Sequence, residues 1–332
     1  MGKLNIVLLS GGSGKRLWPL SNNTRSKQFL QLLESPKGTM ESMVQRVVRQ
    51  IGESGLDAEV TIATNEGQKN IIHDQLGKNV SMVFEPERRD TFPAIALSCL
   101  YLSLEKGCRR DEVVVVMPCD PYTEAGYFET IGRMACAVES DSADLVLMGI
   151  KPTYASPKFG YIVPEKGDGA PVRRVSRFTE KPDAAKAEGL LAEGAFWNGG
   201  VFAFRLGYVL DIVAKYLNPS TFADAVSAYG KLPKISFDYE VVEKAGDVAV
   251  VPFDGSWKDL GTWNSLTSEL SRREIGNVVP GPECSNVHII NELGIPILVN
   301  GVNDVVVVAS PDGILVCSKE DTENIKKYVE TL

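Results

Sequence analysis

The chain has 332 residues, 44% of them hydrophobic and 23% charged, with a formal net charge of −8 at pH 7. That is the composition of an ordinary globular protein, long enough for one large α/β domain and a smaller appendage. The acidic balance excludes a broad basic surface for nucleic acid but leaves room for the few local cations that a nucleotide substrate needs. No window approaches the roughly 18 uninterrupted apolar residues of a membrane span. Residues 4–9 are apolar but short and run into glycines, which reads as a buried strand rather than a secretion signal. The six cysteines (Cys99, Cys108, Cys119, Cys136, Cys284, Cys317) are scattered without a Cys-x-x-Cys pair. Reduced structural thiols in a cytoplasmic protein are therefore expected.

Strand-like and helix-like patterns alternate along the first half. Strands are predicted over residues 4–9, 59–64, 80–85, 113–117 and 144–150. Helices are predicted over 40–51, 68–76, 93–104 and 128–139. Continuous apolar strands between amphipathic helices imply a mostly parallel sheet covered on both faces, a Rossmann-like α/β fold. Ligands of such sheets sit at the carboxyl ends of strands, so the turns after Leu9, Glu85 and Met117 are the places to search. The second half is more mixed. Residues 159–164 and 172–179 read as antiparallel strands, and further strands are expected at 201–204 and 248–252. Gly276, Pro280, Gly281 and Pro282 read as a linker. Short strands follow at 287–290, 295–299, 305–309 and 314–317, with a closing helix at 322–329. The division expected is a catalytic domain over 1–272 and a small β-helix-like module over 273–332.

Gly11-Gly12-Ser13-Gly14-Lys15-Arg16-Leu17-Trp18-Pro19-Leu20 follows the first strand. Glycines let backbone amides approach phosphate oxygens, and closely spaced amides form an anion nest. Arg16 adds a bidentate phosphate partner, and Lys27 lies a short loop further on. A Walker A loop is excluded because Leu9 stands at the first glycine position and Arg16 follows Lys15. A dinucleotide fingerprint is excluded because Leu17 stands where the third glycine belongs.

Nucleotidyl transfer needs charge neutralisation on the triphosphate, and magnesium held by one or two carboxylates is the usual solution. Asp120 sits at the carboxyl end of the predicted 113–117 strand, and Asp259 lies in Trp257-Lys258-Asp259-Leu260-Gly261-Thr262-Trp263. Taken alone, an aspartate in either setting is more often a turn or helix cap than a metal ligand. Glu85-Pro86-Glu87-Arg88-Arg89-Asp90-Thr91-Phe92-Pro93 joins a strand to a helix, with Thr91 or Asp90 as its cap and Pro93 in its first turn. Three more short motifs stand out: Phe159-Gly160-Tyr161-Ile162, Phe178-Thr179-Glu180-Lys181-Pro182 and Trp197-Asn198-Gly199-Gly200. Ser236-Phe237-Asp238-Tyr239 is a fourth.

In this order the motifs resemble those of the sugar-nucleotide pyrophosphorylases, on the pattern of the mannose-1-phosphate guanylyltransferase branch. The resemblance is strong over residues 4–270 and looser beyond. It implies a nucleotidyltransferase fold and a triphosphate held by Gly11, Gly12, Ser13, Gly14, Lys15 and Arg16. It places Glu85, Arg89 and Thr91 along the base and assigns Mg²⁺ to Asp120 and Asp259. Gly160, Glu180, Lys181, Asn198 and Asp238 become the sugar-phosphate site. Arg16, Lys27, Asp120 and Asp259 become the catalytic set. The implied substrates are GTP and mannose 1-phosphate, joined by in-line displacement.

Five residues depart from the family pattern: Lys15 for threonine, Ser26 for proline, Phe92 for a small residue, and Cys119 and Pro121 where serine and histidine are usual. These departures leave open the same chemistry with another nucleoside triphosphate or with glucose or heptose 1-phosphate. A non-catalytic regulatory subunit is disfavoured because the charged site residues are present. With only His73 and His288, the histidine-built isomerase fused to some longer relatives is not expected. The C-terminal module is a candidate homodimer interface, since its strands are too short to stand alone.

Overall fold

The computed structural model describes residues 3–12, 15–22, 24–167 and 169–331. Its centre is a nine-stranded mixed sheet built from β1 (Leu4–Leu9), β2 (Ala58–Thr64), β3 (Ser81–Phe84), β4 (Val113–Pro118), β5 (Leu145–Ile150), β6 (Tyr161–Pro164), β7 (Arg173–Thr179), β8 (Phe196–Arg205) and β9 (Val248–Phe253). The spatial order is β3-β2-β1-β4-β8-β5-β9-β7-β6. β1 runs parallel to both β2 and β4, and β2 is parallel to β3. β8 is antiparallel to β4 and β5, and β7 is antiparallel to β6.

The apolar runs of β1, β4 and β5 are buried because helices cover both faces of the sheet. One face packs against α1 (Met43–Glu53) through Val44, Val47 and Ile51, α2 (Lys69–Leu76) through Ile72, α4 (Ala125–Glu139) through Phe128, Ile131 and Met134, and α5 (Ala184–Ala192) through Leu190. The other packs against α3 (Thr91–Leu104) and α6 (Leu206–Val213). α3 carries apolar residues on every side because α6 and later segments cover what the sheet does not. The chain leaves β1 for β2 on one side and returns to β4 on the other. The crevice between the carboxyl ends of β1 and β4 is therefore the switch point where ligands bind in such sheets.

Three sequence expectations shift. The helix predicted from residue 40 begins at Met43, where Ser42 and Gln45 form a capping box, while Met40–Glu41 pairs with Leu33–Glu34. The strand expected at 201–204 is the long β8, whose register breaks between Asn198 and Phe202, with Gly200 at φ +67°. The expected linker at 276–282 instead supplies the first rung of the C-terminal module. That module has one sheet of Glu274–Ile275, His288–Asn291, Val305–Ser310 and Gly313–Ser318, and a second of Val278–Pro280 with Ile297–Val299. All pairs are parallel except the last of the first sheet, which gives a short β-helix. The closing helix is Ile325–Val329. No helix among the described residues is long and apolar enough to cross a membrane.

Candidate active site

The carboxyl ends of β1 and β4 and the turn after β3 open onto a cavity of about 400 Å³. Gly11, Gly12, Glu85, Arg89, Thr91 and Asp120 all line it. Buried Gln28 fixes the exit of β1 by donating from Nε2 to both the carbonyl and the hydroxyl of Ser10, each at 2.9 Å. Ser13 and Gly14 lie outside the described residues.

At one end of the cavity, Glu85 accepts from the Tyr229 hydroxyl at 2.7 Å. Burial raises its carboxyl pKa, and the Tyr229 bond only partly offsets that. Arg89 is held by Glu87 at 2.7 Å and by the Leu232 carbonyl at 3.1 Å. Asp90, at φ +73°, caps α3 through the Thr91 amide. The Thr91 hydroxyl is thereby free to accept from the Phe237 amide at 2.8 Å, which ties down the short helix Phe237–Glu240 that carries Asp238. Phe92 is fully buried and packs edge-on to Tyr216, so it does not shape the cavity wall. Arg88 and Tyr229, which no sequence signal singled out, complete this end.

Asp120 and Asp259 are brought together by a two-stranded ladder. Pro121–Thr123 pairs antiparallel with Trp257–Asp259, so that Asp259 stands opposite Pro121, next to Asp120. Pro121 opens its strand, where a missing N–H costs least. The Lys27 ammonium sits between the two carboxylates, 2.7 Å from Asp120 and 2.9 Å from Asp259. Only 12% of the Lys27 side chain is exposed. Burial works to lower its pKa, but the two carboxylates outweigh it and hold the ammonium above its ordinary range. Two carboxylate oxygens converge on the Lys27 ammonium, so Asp120 and Asp259 are the residues that could hold a divalent cation here. Among the described residues no third acidic, histidine or cysteine ligand joins them. Cys119, beside them, is buried, and desolvation followed by the Asp120 charge raises its thiol pKa, which keeps it unreactive.

The second-half motifs meet around Asp238, which lines the same cavity as Asp120. A Cβ on Gly160 would run into the Glu180 carboxylate and the Phe178 ring, so only glycine fits. Glu180, 5% exposed, accepts from Lys181 at 2.6 Å. Burial opposes the Lys181 ammonium, but Glu180 prevails and holds it above its ordinary value. Asn198 donates to Asp238 at 2.6 Å and is itself held by the Gly200 amide. Burial, then the Glu180 charge, pushes the Asp238 carboxyl up to about 6 from 3.8. A carboxyl raised in the folded state contributes stability below pH 4 that is lost as pH rises through about 6. Asp238→Asn keeps the acceptor for Asn198. It is expected to be more stable than wild type at pH 7 by about 1–2 kcal/mol, the gap closing near pH 4. Melting curves across that range check it, and a gap that does not change with pH would refute it.

Residues 5–274 match the family described as "Nucleotidyl transferase". The chain belongs to that family. Residues 286–332 match the "MannoseP isomerase/GMP-like beta-helix domain". The chain is 34% identical over 355 residues to the xanthan biosynthesis protein XanB of Xanthomonas campestris pv. campestris (strain B100), covering 98% of this chain and 72% of that protein. It is 31% identical over 362 residues to the mannose-1-phosphate guanylyltransferase of Escherichia coli (strain K12), covering 99% and 73% respectively. The crystal structure of a "mannose-1-phosphate geranyltransferase" from Thermus thermophilus superposes with a TM-score of 0.81 at 27% identity, covering 100% of this chain and 99% of that one. A UDP-glucose pyrophosphorylase complexed with UDP-glucose shares the fold, with a TM-score of 0.53 at 16% identity over 81% of this chain and 97% of its own.

Within this nucleotidyl transferase, two residues of the glycine loop stand apart from the main cavity. Arg16 is exposed and lines a second cavity of about 480 Å³ together with Asp259, whereas Asp120 lines the first. Lys15 lies 4.0 Å from Glu330, beyond the closing helix of the module.

Proposed function

We propose that this sugar-phosphate nucleotidyltransferase transfers GMP from GTP to α-D-mannose 1-phosphate, giving GDP-mannose and pyrophosphate. The observation that carries this reading is the Asp120–Lys27–Asp259 cluster. Asp120 lines a cavity of nucleotide size, and Asp238 brings a cluster of buried hydroxyl partners to the same cavity. Guanine suits the first compartment: its base edge offers two donors to a carboxylate such as Glu85 and one acceptor to a guanidinium such as Arg88 or Arg89. Glu180, Asn198 and Asp238 suit the second, because sugar hydroxyls that lose water need paired donors and acceptors. The sequence identity to enzymes named for this reaction supports the same choice.

The step proposed is an in-line displacement. An oxygen of the sugar phosphate attacks the α-phosphorus, forming one P–O bond. The bond to the β-phosphate oxygen breaks, and pyrophosphate leaves with the electron pair. The nucleophile is already an anion, so no general base is required. The chain's work is positioning and charge stabilisation. Gly11 and Gly12 bring backbone close to the triphosphate, Lys27 faces the reacting phosphate, and Lys181 holds the sugar phosphate. Arg16 and Lys15 lie at the far end of the loop, where the departing pyrophosphate would pass. Asp120 and Asp259 would hold Mg²⁺, which neutralises phosphate charge when bound.

A panel of nucleoside triphosphates against sugar 1-phosphates, read by pyrophosphate release, tests the assignment. GTP with mannose 1-phosphate is expected to give the highest kcat/KM, and a different preferred pair would overturn it. Glu180→Gln is expected to raise the KM for mannose 1-phosphate about 10- to 100-fold, because a buried charged acceptor is lost. The KM for GTP should stay within twofold, and steady-state kinetics on both substrates check the split.

A further inference from the structure

We infer that the C-terminal β-helix is a positioning element of the nucleotide site, acting through Trp18 on the turn that carries Lys15 and Arg16. The identity of the nucleotide rests on the reading above; the positioning role rests on contacts alone. After the phosphate-binding glycines, the chain makes a 3₁₀ turn at Lys15–Leu17 and runs on to Arg25. The module holds this stretch at several points. The buried Ser310 hydroxyl donates to the Pro19 carbonyl at 2.8 Å. Asp312 accepts from Asn22 at 2.7 Å, and Glu292 accepts both Arg25 guanidinium nitrogens at 2.8 and 2.7 Å. The helix Ile325–Val329 lies against the turn itself.

The tightest contact is at Gly313. Its φ is +147°, and a Cβ there would run into the outer, six-membered ring of Trp18. On the other side, Trp263 donates from Nε1 to the Trp18 carbonyl at 3.0 Å. Trp263 is fully buried and follows the loop that bears Asp259. Leu17 and Leu20 from the turn, Leu260 and Trp263 from the metal loop, and Ile290 and Val308 from the module share one buried cluster. Trp18 is thus clamped between the module and the loop of a metal carboxylate. A single 3₁₀ turn has little rigidity of its own. The geometry that a triphosphate meets must then be set by what packs behind the turn, and that is the module.

The test uses the full chain, with GTP binding followed by calorimetry in Mg²⁺ and KM measured for both substrates. Gly313→Ala pushes on the Trp18 ring and is expected to raise the Kd and KM for GTP about tenfold, with the KM for mannose 1-phosphate within twofold. Trp18→Phe deletes the ring atoms that the new methyl meets. In the Trp18→Phe background, Gly313→Ala is therefore expected to leave GTP affinity unchanged. Should Gly313→Ala fold poorly, Ser310→Ala gives the same readout. GTP affinity is expected to fall severalfold and to return in Ser310→Thr, which keeps the hydroxyl. Variants that lower Tm while GTP affinity holds, or that raise both KM values together, would overturn the inference. If wild type prefers another nucleoside triphosphate, the specificity reading falls, and the same ratios measured with that nucleotide still decide the positioning role.

Discussion

Asp259→Asn, assayed with GTP, mannose 1-phosphate and Mg²⁺, is expected to release pyrophosphate about 10²- to 10³-fold more slowly than wild type, and Asp120→Asn likewise. The two carboxylates converge on one point, and an amide at either position removes half of the negative charge that would hold the metal. Folding should survive, because the ladder that sets Asp259 opposite Pro121 is made by main chain. Melting temperatures close to wild type would confirm that the defect is local. The double variant should lose little more than either single one, since both residues serve one ion and their effects are not additive. Near-normal turnover in either single variant would remove the metal assignment.

How much of this site was legible in the sequence depends on how local each feature is. β1 was predicted residue for residue, because burial on both faces leaves a nearly continuous apolar run, broken only by Asn5. That the turns after β1, β3 and β4 line one cavity was legible for a similar reason, since strand direction follows from the alternation of strands and helices. The ladder between Pro121–Thr123 and Trp257–Asp259 was not legible. Three-residue strands carry no periodicity, and the pairing joins segments far apart in the chain. The same holds for the bonds from Tyr229 to Glu85, from Phe237 to Thr91 and from Asn198 to Asp238. The first half of β8 was missed because Gly199 and Gly200 read as a break, when they are a register shift inside a strand. Phe92 looked like a pocket residue by its neighbours in sequence, but the helix that begins at Thr91 turns it into the core. Lys15 read as one of the triphosphate cations, and the structure sets it beside Glu330 of the module.

Lys27→Met is expected to separate metal binding from turnover in opposite directions. In the structure the Lys27 ammonium occupies the point between Asp120 and Asp259 that a divalent cation would use. The two carboxylates hold it charged well above neutral pH, so it does not step aside by losing its proton. A divalent cation bound there would therefore compete with the ammonium for the same oxygens until substrate phosphates gave Lys27 another partner. Methionine fills a similar volume without the charge. The two carboxylates then face each other uncompensated, which favours any cation that can replace the ammonium. The Kd for Mn²⁺ in the nucleotide-free protein, followed by electron paramagnetic resonance, is expected to fall about tenfold. Over the same substitution kcat is expected to fall about 10²- to 10³-fold, because no ammonium remains to balance charge on the reacting phosphate. A merely structural lysine would lower Tm and weaken metal binding together. An unchanged Mn²⁺ affinity alongside normal turnover would show that Lys27 neither competes with the metal nor serves the phosphate.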